Sequence, residues 1–340
     1  NPTRRYHASE TSSATSSRGE YFFPVTTDVN DSRSGFQLSS YDMTTIGWGC
    51  APEVQFKMNE EYPFMSGEFV WTGFDYLGEP TPYNKDLTNL LNFSDPNELE
   101  KARKELEELS KIKTPSRSSY FGIVDLCGFP KDRYYNYKSY WRPDVPTVHI
   151  LPHWKWQERI GEITPVHIYT SGDAVELFLN GKSLGRREKA HSYDRLTWDD
   201  VRYEPGSLRA IAYKNGQKWA EELVETTGKP AALQVTAEKT ELKNDGTDLS
   251  FIRVAVVDSQ GRVVPRSKNH LKFSVTGPAE IIATDNGDAT SLLPFQLSER
   301  DAYNGLALVI LRSQYMKQGK VVLTVESKGL PKQKIALKVE

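Results

Sequence analysis

Cysteine is almost missing from this 340-residue chain: Cys50 and Cys127 are the only two. Two thiols make neither a disulfide framework nor a cysteine-rich metal centre, and they are read as buried thiols. Long apolar runs are missing too. No stretch approaches the roughly 18 residues that would cross a bilayer as a helix, and the opening Asn1-Pro2-Thr3-Arg4-Arg5 is not a secretory leader. Neither sign of charge prevails, with 43 Lys and Arg against 45 Asp and Glu and a net charge of -2. That balance supplies no field for nucleic acid or an anionic membrane, and a neutral partner fits better. Metal-ligand spacing is also absent. His149, His153 and His167 are close in sequence but sit in strand-like texture, where packing or surface roles are expected. The tripeptides Asn30-Asp31-Ser32 and Asn92-Phe93-Ser94 match a glycosylation pattern too short to carry weight.

Aromatic side chains, by contrast, are plentiful, with 7 Trp and 17 Tyr. They serve either as sheet core or as flat surfaces on which sugar rings stack. Over the first 145 or so residues, helix and strand signals alternate. Pro52 to Tyr62 reads as a helix opened by Pro52 and closed by Pro63, and the short apolar strand Gly67-Glu68-Phe69-Val70-Trp71 follows at once. Ser94-Asp95-Pro96 caps a second helix with Leu99, Ala102, Leu106 and Leu109 on one face, inside a long loop from Gly78 to Ser116.

From about His149 the texture becomes short alternating strands with frequent turns. Val166 to Tyr169 and Val175 to Leu179 alternate in period two, and Asn180-Gly181 is a hairpin pair that tolerates positive φ. Leu208 to Tyr213 continues the pattern. Beyond a linker at Gly228-Lys229-Pro230, Leu233 to Ala237, Leu249 to Asp258, Leu271 to Thr276, Leu306 to Arg312 and Val321 to Glu326 repeat it. Two successive β-sandwiches are expected. Trp154, Trp156, Trp198 and Trp219 either fill their cores or offer exposed sugar-stacking surfaces.

Two segments carry candidate chemistry. Glu10 lies in Ser9-Glu10-Thr11-Ser12-Ser13, ahead of a run of small polar residues that ends at Arg18-Gly19. A carboxylate at the end of a short strand, followed by a small-residue loop, is how a barrel presents a nucleophile at its C-terminal face. A solvated glutamate before a serine-rich loop has the same local pattern. In Gly67-Glu68-Phe69-Val70-Trp71-Thr72-Gly73-Phe74-Asp75-Tyr76, a strand ending in Trp and followed by aromatic, acid and aromatic would set a flat ring and a carboxylate at one mouth. A Trp packed under a loop would fit the spacing equally. For Glu68, before the strand, a structural role is expected.

Together these words resemble glycoside hydrolase family 2 β-galactosidases. The resemblance extends through Leu77-Gly78-Glu79-Pro80, Ser116-Arg117-Ser118-Ser119-Tyr120-Phe121-Gly122-Ile123-Val124-Asp125, Cys127 to Asp132, and Val175 to Gly185 with Asn180-Gly181-Lys182-Ser183-Leu184-Gly185. It implies the last part of a (β/α)8 TIM barrel over 1–146, then two immunoglobulin-like all-β sandwiches over 147–228 and 229–340. By that resemblance Glu10 is the nucleophile and Trp71 lines the subsite of the cleaved sugar, and in the mechanism it implies Asp75 or Tyr120 is expected to hydrogen-bond ring hydroxyls. The family's general acid, in an Asn-Glu pair on an earlier barrel strand, has no counterpart here. Asn59-Glu60 and Asn97-Glu98 fall on helices. Any divalent cation site would lie upstream, so no cofactor and no metal are assigned.

The implied activity is retaining hydrolysis of terminal β-D-galactosides in an oligo- or polysaccharide. Expected partners are that substrate and the N-terminal remainder of the same protein, with no nucleic acid and no membrane, and with a homo-oligomer left open. A bacterial periplasmic or extracellular location goes with the resemblance. Ser13 stands where some members place a His, which leaves β-glucuronidase and β-mannosidase as alternatives. Another alternative is a non-catalytic carbohydrate-binding or structural module. No Arg or Lys cluster that would clamp a uronic acid surrounds Trp71.

Overall fold

The computed structural model describes residues 4–28, 31–83, 95, 97, 100, 104 and 116–340. Leu99, Ala102, Leu106 and Leu109, the apolar face expected for the charged helix, lie outside the described residues. The chain divides into two compact units, Asn1–Thr226 with Ala289–Leu292, and Thr227–Asp288 with Leu293–Glu340. No helix among the described residues is long and apolar enough to cross a membrane.

The first unit opens with strand β1 (Tyr6–Ser12), the small hairpin β2 (Arg33–Ser34) and β3 (Gln37–Leu38), helix α1 (Pro52–Glu61), strand β4 (Met65–Trp71) and helix α2 (Asp132–Trp141). Pro52 starts α1 because its missing N–H costs nothing in the first turn, and the acidic Glu53 sits at the positive end of the helix. α1 buries Phe56, whose ring stacks on Tyr140 of α2 at 4.0 Å and meets Tyr137 edge-on at 5.2 Å. β1 and β4 pair in parallel, so the helix between them completes a βαβ crossover. Within the described residues this is a two-stranded parallel sheet, and no closed barrel is present.

The remainder of the first unit is β5 (Val148–Leu151), β6 (Val166–Thr170), β7 (Ala174–Leu179), β8 (Lys182–Glu188), β9 (Leu196–Trp198), β10 (Ser207–Lys214) and β11 (Gln217–Glu225). These make a three-stranded sheet in the order β5-β6-β9 and a four-stranded sheet in the order β11-β10-β7-β8. Asn180 and Gly181 take φ of 51° and 82°, the left-handed pair that matches the twist of the β7–β8 hairpin. Trp154, Trp156 and Trp198 are 0%, 5% and 2% exposed. They are core, which decides between the two roles expected of them. Trp219 is half-buried, with its indole N–H donated to Ser171 Oγ and Lys214 over its ring. Tyr21 and Tyr41, from the segment after β1, belong to the same core cluster as these sandwich residues. The Tyr41 hydroxyl donates to the Pro165 carbonyl at 2.6 Å. The segment after β1 and the first sandwich therefore share one core, while Val70 of β4 packs against a separate cluster of Phe56, Ile123 and Tyr137.

The second unit is a sandwich of β12 (Ala232–Ala237), β13 (Glu241–Leu242), β14 (Leu249–Val257), β15 (His270–Thr276), β16 (Ala279–Asp285), β17 (Glu299–Asp301), β18 (Leu306–Ser313), β19 (Gly319–Ser327) and β20 (Gln333–Val339). Its sheets run β12-β14-β18-β16 and β13-β20-β19-β15-β17. Ile252, Val254, Val309, Leu311, Leu323 and Val325 alternate inward to form the core, as strand periodicity requires.

His149 on β5 is the electrostatic link between α2 and the first sandwich. Its Nε2 lies 2.7 Å from Asp132 at the start of α2, and its Nδ1 lies 3.4 Å from Glu222 on β11. Burial alone would lower its pKa, but the Glu222 and Asp132 carboxylates overcome that and raise it to about 9. Because the folded value exceeds the unfolded one, the stabilisation is complete below about pH 6.5 and is lost as pH rises through about 9. Its size is on the order of 3 kcal/mol. Thermal melts from pH 6 to 10 are expected to show Tm falling in this window, and His149→Gln should remove that slope.

Candidate functional site

The parallel register brings two of the expected residues to one end of the first unit. Thr11 pairs with Val70 and Ser12 with Trp71, so Glu10 and Trp71 both lie near the C-terminal ends of adjacent strands. Glu10 is exposed. Immediately after it the backbone is strained: Ser12 and Ser13 both take left-handed conformations, with φ of 66° and 49°. Each such residue costs about 1–3 kcal/mol and persists only where its surroundings enforce it.

The enforcing contacts come from the segment leading into α1. Cys50 N–H donates to the Ser12 carbonyl at 2.7 Å, and Ser12 Oγ donates back to the Cys50 carbonyl at 2.9 Å. Gly49 packs so closely that an added Cβ would stand 2.8 Å from both the Ser12 and Ser13 carbonyl oxygens. Only glycine fits there.

Further along, Ala14 to Arg18 is fastened by three buried ion pairs. Arg18 Nε meets Asp125 Oδ2 at 2.5 Å, Lys131 Nζ meets Asp75 Oδ2 at 2.7 Å, and Arg133 donates to both Asp42 oxygens, through Nε at 3.0 Å and through Nη2. Each cation also reaches backbone or ring. Lys131 Nζ donates to the Ser16 carbonyl at 2.7 Å and the Tyr120 carbonyl at 3.1 Å, and Arg133 Nη1 donates to the Ala14 and Phe121 carbonyls. The Arg18 guanidinium lies 5.2 Å from the centre of the Phe129 ring. Burial pushes the Asp75 carboxyl up and the Lys131 ammonium down, each against the pull of its partner.

This network changes the roles expected of Asp75 and Tyr120. Asp75 is 6% exposed and is used up by Lys131 and by the Gly122 N–H at 2.7 Å. Tyr120 is 1% exposed, donates its hydroxyl to the Phe36 carbonyl and packs edge-on against Tyr83. Both sit beneath the surface and support the site from inside, because burial denies them the contact with ring hydroxyls that was expected. Gly122 must be glycine here, since a Cβ would fall 2.2 Å from the Asp75 nitrogen. Glu68 is also structural: it accepts from Thr11 Oγ1 at 2.8 Å, Asn59 Nδ2 at 3.3 Å and Trp141 Nε1 at 3.3 Å.

Trp71 is half-buried, and its peptide bond to Thr72 is cis. Beyond it, Thr72 N–H donates to the Phe121 carbonyl and Asp75 N–H to the Val124 carbonyl, which ties the strand exit to the 121–124 segment. Sequence reasoning missed Asp42, Arg133 and the partnership of Arg18 with Asp125. The only available signal was that charged residues recur inside otherwise small or apolar words such as Cys127 to Arg133.

Residues 233–336 match the model of glycoside hydrolase family 2 C-terminal domain 5, and residues 161–220 match a domain of unknown function, DUF4982. The chain is 37% identical over 337 residues to β-galactosidase BoGH2A of Bacteroides ovatus, covering 97% of this chain and 36% of that protein. It is 30% identical over 252 residues to a putative β-glucuronidase of Formosa agariphila, covering 74% of this chain and 22% of that one. Among solved structures, a β-glycosidase from Bacteroides vulgatus superposes with a TM-score of 0.79 at 28% identity, over 98% of this chain and 42% of that chain. The chain thus spans about a third or less of the curated relatives just named. With a C-terminal domain of the family matched in the second unit and a relative of that family aligned along nearly the whole length, the chain belongs to glycoside hydrolase family 2.

Proposed function

We propose that this chain carries the nucleophile half of the active site of a retaining glycosidase that hydrolyses terminal β-D-galactosides. The observation that supports this most is the β1–β4 register, which delivers Glu10 and Trp71 to the same end of two parallel strands. The order β1-α1-β4-α2 is then the close of a (β/α)8 barrel, whose other strands and general acid are supplied by the N-terminal remainder of the protein. Exposed Trp48, Phe69 and Phe74, at 67%, 63% and 61%, are apolar surface that such a remainder would cover.

In this reading a Glu10 carboxylate oxygen attacks the anomeric carbon while the acid protonates the departing glycosidic oxygen. The C–O bond to the leaving group breaks as the glycosyl ester on Glu10 forms, and water then cleaves the ester with net retention. The two carboxyl groups would stand roughly 5–5.5 Å apart. Trp71 gives the sugar an apolar face to rest on.

β-Glucuronidase is the second reading, because one of the relatives above carries that name. A uronate needs an unpaired cation. The buried cations of this site, Arg18, Lys131 and Arg133, are each committed to a carboxylate, which favours the neutral galactoside.

In the full-length protein Glu10→Gln should lower kcat on an aryl β-galactoside by about a thousand-fold or more, and azide should partly restore turnover of an activated substrate by Glu10→Gly. Near-normal kcat in Glu10→Gln would remove Glu10 from the mechanism. Gly49→Ala tests the positioning of the turn. Its Cβ must displace the Ser12 and Ser13 carbonyls, so kcat should fall by about a hundred-fold, with a stability loss of about 1–3 kcal/mol in denaturant titration.

A further inference from the structure

The aromatic that would receive the sugar is held by a short chain of hydrogen bonds with a fixed direction. Trp71 Nε1–H donates to the Tyr76 hydroxyl at 3.1 Å, and that hydroxyl donates on to the Glu79 carboxylate. An indole N–H only donates, an ionised carboxylate only accepts, and a phenol does both, so the chain runs one way. The two rings meet edge to face, at 5.8 Å and 82°. This orientation satisfies the ring quadrupoles as well as the hydrogen bond.

Tyr76 is itself anchored by residues that the catalytic reading leaves without a task. Its backbone N–H donates to Ser119 Oγ at 3.1 Å, and its carbonyl accepts from the Ser119 N–H at 2.8 Å and from Ser118 Oγ at 3.3 Å. Ser118 and Ser119 are buried, at 3% and 0% exposure. At the far end Glu79 is exposed and adopts a left-handed φ of 45°, directly after Gly78 at 90°, a turn that carries its carboxylate back to Tyr76. Partial burial and the Glu79 contact push the Tyr76 phenol well above its usual pKa, so it keeps the proton it donates.

We propose that Tyr76 and Glu79 are positioning residues that fix the plane of the Trp71 indole, with Ser118 and Ser119 seating Tyr76 in turn. The proposal rests on the reading of Trp71 as the sugar platform. An indole free to turn about its side-chain torsions would offer the sugar a correct face only part of the time. Pre-setting its plane removes that ordering cost from substrate binding.

The test uses the full-length protein labelled with 5-fluorotryptophan, the Trp71 fluorine resonance being assigned by its loss in Trp71→Phe. Tyr76→Phe is expected to shift that resonance and to raise KM for an aryl β-galactoside about five- to tenfold, with kcat within about twofold. Glu79→Leu should reproduce both effects, and Glu79→Gln, which keeps an acceptor oxygen, should recover most of the loss. An unmoved resonance in Tyr76→Phe overturns the proposal, and so does a shifted resonance with unchanged KM. If Trp71→Ala retains the wild-type KM, the platform reading itself fails and the proposal falls with it.

Discussion

Buried charge holds the turn that follows Glu10. Arg18–Asp125, Lys131–Asp75 and Arg133–Asp42 tie the segment leaving β1, and Asp75 beyond β4, to the stretch from Phe121 to Arg133, and four of their six side chains also bond backbone atoms. Pairs of this kind add little net stability over apolar packing, because desolvation offsets most of the attraction. Removing one partner, however, strands the other and costs roughly 3–5 kcal/mol. Their effect is to select one arrangement. Ser16, Tyr120 and Phe121 cannot drift without leaving a buried cation short of an acceptor.

That constraint explains how two consecutive left-handed serines persist beside the candidate nucleophile. The Gly49–Cys50 clamp presses on the Ser12–Ser13 turn from one side, and the ion pairs secure the chain that follows it. Strain held in this way fixes the direction of the strand end, and with it the place from which Glu10 projects. The first sandwich contributes through the core it shares with Tyr21 and Tyr41 and through His149, which links Asp132 on α2 to Glu222 on β11. The second unit has its own core of alternating Val, Ile and Leu.

Much of this fold is legible in the sequence. Pro52 and Pro63 bracket α1, Gly67 to Trp71 lies within β4, and Asn180-Gly181 makes the turn it spells, because each rests on a local rule of backbone geometry. β16 is hard to read in the sequence since most of its residues are only half-buried or exposed, which blurs the period-two signal. Long-range pairing left no such trace. Nothing local separates a buried Asp75 that neutralises Lys131 from an exposed one that binds a hydroxyl, and only the packing of distant segments decides it. Trp154, Trp156 and Trp198 posed the same ambiguity between core and surface, and burial resolved it. The βαβ crossover is visible locally, whereas barrel closure depends on strands that would have to lie beyond β1 and β4.

The most direct measurement is covalent trapping. An activated 2-deoxy-2-fluoro-β-galactoside slows breakdown of a glycosyl ester more than its formation when the leaving group is good, so the full-length enzyme should accumulate the labelled intermediate. Peptide mass spectrometry should find one added fluorogalactosyl group on the peptide containing Glu10. A label on any other carboxylate, with Glu10 unmodified in inactivated enzyme, would contradict the account.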